Sequence, residues 1–284
     1  MNALSAAWHL LRDTFSAFVE DEALSWGASI AYYTLFSIAP VLLVVVAIAG
    51  LAFGREAAEG AIVDQFSVLM GHQTAEALQG MIESAAKPHE GTLATIIGVI
   101  VLFIAVSGVF GEVQSAMNAI WKAAPAEGST LTRLMRGRLV SMGLVVTAGF
   151  LLTVSLAASA ALAGFSTYLS IVFPVLQPVL AAVDIVLSAA LICGLFAAMF
   201  KVLPDVDIAW RDVAIGALAS TILFEAGKYA IAFYIGQSNV ASSYGAAGAL
   251  IILLVWIYYS AQIFLLGAEF SRAYAKRYGS HANP

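Results

Sequence analysis

The sequence predicts an all-α, polytopic membrane protein with six transmembrane helices and short amphipathic interfacial helices. Two observations carry that prediction. Residues 23–54, 91–111, 139–183 and 229–268 contain no Asp, Glu, Lys or Arg, and over the whole 284-residue chain charged residues make up 11% against 61% hydrophobic. A soluble chain of this size carries roughly a quarter of its residues as charges. Lipid is therefore the solvent for most of this surface.

A helix needs about 20 apolar residues to cross about 30 Å of hydrocarbon, and a helix satisfies its own backbone hydrogen bonds there. By that ruler the spans fall at about 27–53, 92–111, 139–164, 179–201, 213–235 and 245–267. The first three carry no charge. The uncharged run 139–183 is long enough for two crossings, and Pro174 and Pro178 mark the break between them. The fourth span holds Asp184, the fifth Glu225 and Lys228, and the sixth is apolar until Glu269. The chain reads as one membrane domain, 1–284, with no internal repeat.

Between the spans lie amphipathic segments. Residues 55–90 space Ile62, Phe66, Leu69, Leu78 and Ile82 helically between acids, as two short helices hinged at Met70–Thr74, with Gly71 at the bend. They serve either as a lid or as a plain surface pair. Residues 111–122 place Val113, Met117 and Ile120 or Trp121 on one helical face, as an interfacial helix does.

Charge distribution sets the expected orientation. Arg12, Lys122, Arg133, Arg136, Arg138, Lys201, Arg211, Arg272, Lys276 and Arg277 fall on one side of the spans, whereas Arg55 and Lys87 fall on the other. Basic loops stay cytoplasmic, so both termini are expected on the cytoplasmic side of the membrane. Arg133, Arg136 and Arg138 form a cluster that either contacts anionic lipid or only fixes topology. The first span is expected to insert as an uncleaved anchor, since residues 1–26 lack the pattern of a secretory signal. A net charge of −5, spread along the loops, points to no nucleic-acid partner. The lone Cys193 reads as a small apolar residue.

The sharpest functional lead is the intramembrane charge, because each such group costs about 2.5 to 3.5 kcal/mol at mid-helix. Glu225 and Lys228 are three residues apart, on one face and within pairing reach. Asp184 sits at a depth within roughly 3 Å of Lys228 if the two helices run antiparallel. The three form either a pathway or gate, with one carboxylate to spare for a proton, or an ion-pair staple between helices. Further candidates for lining or gating a path are Tyr32, Tyr33, Pro40, Tyr258, Tyr259 and Gln262, which read equally as a kink and interhelical hydrogen bonds. Small residues four apart, such as Gly216 and Ser220, let helices approach closely, within a subunit or in a homo-oligomer. No cofactor or metal is expected: His9, His72, His89 and His281 are scattered without metal-ligand spacing, and no nucleophile motif or phosphate-binding glycine loop points to an enzyme.

Several motifs in order complete the reading: Ala31 to Pro40 (AYYTLFSIAP), Gly108 to Gly111 (GVFG) leading to Met117 to Trp121 (MNAIW), Leu203 to Val206 (LPDV), Ser243 to Ala246 (SYGA), Leu254 to Gln262 (LVWIYYSAQ) and Leu266 to Glu269 (LGAE). Together they resemble the YihY/BrkB family across about residues 10–275. The resemblance implies a bacterial inner-membrane protein with six spans and cytoplasmic termini. Relatives have carried the label ribonuclease BN, generally viewed as a misassignment, and this sequence offers no ribonuclease chemistry. Ideas attached to the family include serum resistance and export or lipid-related transport. The resemblance supplies no substrate-binding residues. The expectation is therefore a protein that moves a lipid or amphipathic small molecule, with membrane lipids as its partners. The alternative is a non-transporting scaffold or envelope-assembly, virulence-associated factor.

Overall fold

The computed structural model describes residues 3–86, 108–124, 143, 177–237 and 246–281. Every regular element among them is a helix. α1 is Ala3–Glu20, α2 Ala23–Phe53, α3 Arg55–Met70, α4 His72–Ala86, α5 108–120, α6 Gln177–Val202, α7 Trp210–Gln237 and α8 Ala246–Tyr278. Four of these are long and apolar enough to cross a membrane: Ala23–Leu51, Ile185–Val202, Trp210–Ile231 and Ala247–Tyr278. They coincide with the first, fourth, fifth and sixth expected spans. The expected spans at 92–111 and 139–164 lie outside the described residues apart from 108–111 and 143, as do Arg133, Arg136 and Arg138.

The central element is α8, which packs against α1, α2, α4 and α7, while α6 leans on α7. Its length explains that role. At about 1.5 Å per residue it extends well beyond the hydrocarbon core of a bilayer, so it contacts the bundle along its length. Two apolar cores result. One holds Ala23 and Ile30 of α2, Val113, Met117 and Ile120 of α5, Phe200 of α6, Ala217 of α7 and Phe264 to Ala268 of α8. The other joins Ile38 to Val46 of α2 with Ile62, Met70, Leu78 and Ile82 of the α3–α4 hairpin and Leu253 and Trp256 of α8.

The joints follow from local chemistry. Gly54 and Gly71 take φ of 84° and 85°, a region that favours glycine, so α2, α3 and α4 follow one another through one-residue corners. The α3–α4 pair turns at Gly71, inside the expected hinge. Its apolar face is covered by protein. Ile62, Leu78 and Ile82 are buried, so the pair is part of the core rather than a loose surface pair.

Helix α5 differs in the same sense from the expected interfacial helix. Val113, Ala116, Met117 and Ile120 are buried against other helices instead of lipid. Two polar contacts seat it. Asn118 donates Nδ2 to Asp205 Oδ2 at 2.9 Å and accepts the Asp205 backbone N–H at 2.8 Å. This reciprocal pair locks α5 to the Leu203–Val206 turn. Beyond that turn, Lys201 donates to Asp207 at 2.6 Å and to the Ile208 carbonyl at 2.6 Å. The Lys201 ammonium holds the Asp207 carboxyl below the usual carboxylate range.

Candidate functional site

The expected charge pair forms on α7. Lys228 Nζ lies 2.7 Å from Glu225 Oε2, one helical turn away, and the two side chains are only 24% and 28% exposed. Glu225 Oε1 is buried and accepts no hydrogen bond. The pair therefore uses half of the carboxylate's accepting capacity. Asp184 falls on α6, the helix that packs against α7, and its side chain lies outside the described residues.

Of the other candidates, Tyr259 packs on the same turn of α7: its half-buried ring lies against Gly227, where a Cβ would clash with the phenol. Phe224 fills the same level between Phe196 and Trp256. Phe196, Phe224 and Trp256 thus bring aromatic rings of α6, α7 and α8 together next to the turn that carries the pair.

The remaining candidates sit elsewhere. Tyr32 and Tyr33 are exposed on α2, edge to face at 5.8 Å, with Phe36 stacked obliquely on Tyr32 at 4.9 Å. A Cβ added at Gly108 of α5 would meet the Tyr33 ring at 3.6 Å. Pro40 lies inside α2, one turn after Ser37, whose hydroxyl bonds the Tyr33 carbonyl. Gln262 reaches across to α2, where its Nε2 donates to the Leu24 carbonyl at 3.4 Å over Gly27. Tyr258 is half-buried on α8. The candidate lining residues thus divide between α8, where Tyr258, Tyr259 and Gln262 lie, and the first half and middle of α2, where Tyr32, Tyr33 and Pro40 lie.

Sequence reasoning missed a second and denser cluster. Glu269 of α8 is fully buried, and neither of its carboxylate oxygens has a hydrogen-bond partner. Arg272 Nη1 stands 3.6 Å from Glu269 Oε2 and 2.8 Å from Asp21 Oδ2, and Lys122 pairs with the other oxygen of Asp21. These four groups come from the α1–α2 corner, the end of α5 and α8. Glu22 in that corner and Lys122 just past the end of α5 both take left-handed φ, 54° and 49°. The signal in the sequence was the acid that ends the apolar run at Leu266–Glu269; Arg272 follows it by one turn, but Asp21 and Lys122 lie more than a hundred residues away along the chain.

Beside this cluster a cavity of about 330 Å³ is lined by Asp13, Glu269, Arg272, Lys276 and Arg277. Arg277 pairs with Asp13 at 3.0 Å, which ties the first helix to the end of the last. Both described chain ends therefore lie at the same end of the bundle. Among the described residues, no group of three or more His, Cys, Asp or Glu is placed to hold a metal.

A helical bundle with four apolar, span-length helices and charges folded inward is an integral membrane protein. The comparison with known proteins is more specific: the chain belongs to the family described as Virulence factor BrkB, which it matches over residues 14–284. It is similar to a UPF0761 membrane protein of Alcanivorax borkumensis, 27% identical over 96% of this chain and 61% of the relative. A UPF0761 membrane protein of Legionella pneumophila is 28% identical over 93% of this chain and 61% of its own length. One of Vibrio campbellii is 28% identical, with coverage of 87% and 76%. The chain thus spans less than two thirds of the first two of these relatives. No solved structure matches it.

Proposed function

We propose that this protein moves a lipid or amphipathic small molecule across or within a bacterial inner membrane, with Glu225, Lys228 and Asp184 lining or gating the path. The observation that carries the reading is the part-buried Glu225–Lys228 pair inside an apolar helix, with one carboxylate oxygen unpartnered. Ionisable groups at such positions are costly and are retained where they handle a substrate or a proton. Asp184 on the adjacent helix would give two carboxylates to one ammonium. In this reading the transport step is proton-linked. The chain in this reading is no enzyme. It has six spans and both termini in the cytoplasm, which the Asp13–Arg277 contact between the two chain ends supports. Arg133, Arg136 and Arg138 contact anionic lipid in this reading.

A second reading has a specific observation in its favour. Glu225 and Lys228 already bond each other directly, and Gln262 is spent on an interhelical contact. A non-transporting scaffold or envelope-assembly factor would use the same groups only to fix helices. The experiment that separates the two is the double substitution Glu225→Gln, Lys228→Met, assayed in proteoliposomes for translocation of a fluorescent phosphatidylethanolamine at several pH values. Transport lost with the thermal unfolding midpoint unchanged supports the pathway. Absence of translocation by the unsubstituted protein, or translocation insensitive to both the substitutions and pH, sinks it in favour of the scaffold.

A further inference from the structure

Helix α1 has three sides, and only one of them is occupied by protein. Leu10 and Thr14 are buried, Phe18 packs on the core cluster, and Asp13 bonds Arg277, so this side is seated on α8. A second side is polar and exposed, with His9, Arg12, Ser16 and Glu20 at helical spacing. The third is apolar and uncovered: Trp8, Leu11, Phe15 and Val19 are 67%, 46%, 58% and 68% exposed. Their intervals of three, four and four residues place all four on one stripe that no other described helix touches.

The position of this stripe identifies what covers it. Only the corner at Asp21 and Glu22 separates α1 from Ala23, where the apolar span of α2 begins. The helix therefore lies at the depth where a membrane-crossing segment leaves the hydrocarbon, and Arg272 and Arg277 of α8 hold it there through Asp21 and Asp13. An uncharged stripe at that depth, with a Trp at its outer end, has the character of an in-plane interfacial helix. We propose that α1 docks on the bilayer surface, with Trp8, Leu11, Phe15 and Val19 inserted at the boundary between headgroups and acyl chains. Because the stripe contains no cation, its insertion depends on apolar burial and not on anionic headgroups. The inference is independent of the transport reading, since it needs only a membrane location.

The test uses the full chain in phosphatidylcholine vesicles. In a Cys193→Ala background, single cysteines are placed at Leu11, Phe15, His9 and Ser16, spin-labelled, and relaxed by oxygen or by a water-soluble nickel chelate. Labels at 11 and 15 should be several-fold less accessible to the chelate than labels at 9 and 16, and more accessible to oxygen, with the same contrast when phosphatidylglycerol is added. Equal chelate access at all four positions would place the stripe in water and overturn the proposal. Spin–spin broadening at 11 and 15 that disappears on dilution with unlabelled protein would assign the stripe to a second copy of the chain, which also overturns it. A contrast that appears only with phosphatidylglycerol would replace apolar insertion by charge attraction.

Discussion

Asp212 shows how one buried acid organises a chain end. It sits in the first turn of α7, where the helix dipole favours a negative group, and it is fully buried. Its Oδ2 accepts the Ser280 backbone N–H at 3.0 Å and the Ser280 hydroxyl at 2.7 Å, while its own carbonyl accepts the Ser271 hydroxyl at 2.8 Å. Asp212→Ala should therefore cost about 1.5–3 kcal/mol, the range for hydrogen bonds to a charged group. It should also expose the segment after Gly279 to protease, read by limited proteolysis beside a thermal shift; an equally protected tail would show that the bonds hold nothing. Nothing in the residue pattern marked Asp212, because its partners are 59 and 68 positions away. By contrast, the Glu225–Lys228 pair was legible, since a three-residue spacing on a helix fixes proximity without any tertiary knowledge.

At the scale of elements, close helix approach is set by absent side chains. Gly216 of α7 faces Ser271 and the Gly267 carbonyl of α8, while Gly267 faces Ser220 of α7. Each helix thus offers a small pair, four residues apart, to the other. The spacing of Gly216 and Ser220 was visible in the sequence; that it serves a contact within one chain was decided by the fold. A Cβ at Gly216 would come within 2.5 Å of Ser271 Cβ and 3.0 Å of the Gly267 oxygen, and a backbone atom cannot rotate away. Gly216→Ala should lower stability by about 1–3 kcal/mol, as overpacking does. Gly194→Ala on α6 has open space around its Cβ and should be neutral or gain up to about 1 kcal/mol from helix propensity. Thermal unfolding in detergent, followed by helical circular dichroism, checks both, and equal effects would refute the close-approach argument. The position of α5 makes the complementary point. Its apolar face was readable from Val113, Met117 and Ile120, but whether that face meets lipid or protein depends on the other helices, and here Phe200, Ala217 and Phe264 share its core.

For the whole molecule, the proposed six-span count has a direct consequence: an even number of crossings puts both termini on one side. A fluorescent protein that matures only in the cytoplasm should be bright at either end of the chain, in separate fusions. One bright and one dark fusion, both inserted, would end the even count. The same end of the bundle brings the sequence motifs together. Asn118 of the Met117–Trp121 motif bonds Asp205 of Leu203–Val206, and Glu269 of Leu266–Glu269 lies beside Arg272 and Asp21. The solvent was legible from composition alone, because a chain 61% hydrophobic and 11% charged has far too few charges to coat a water-facing surface. The sequence also determined where the described spans lie and which charges sit inside them, since span length and helical spacing are local properties. Only the tertiary structure decided which faces meet protein and which stay uncovered: the α3–α4 hairpin and α5 turned inward, while the stripe of α1 was left open. The reason is physical. Apolar periodicity records that a face avoids water, and both lipid and a neighbouring helix satisfy that requirement equally well.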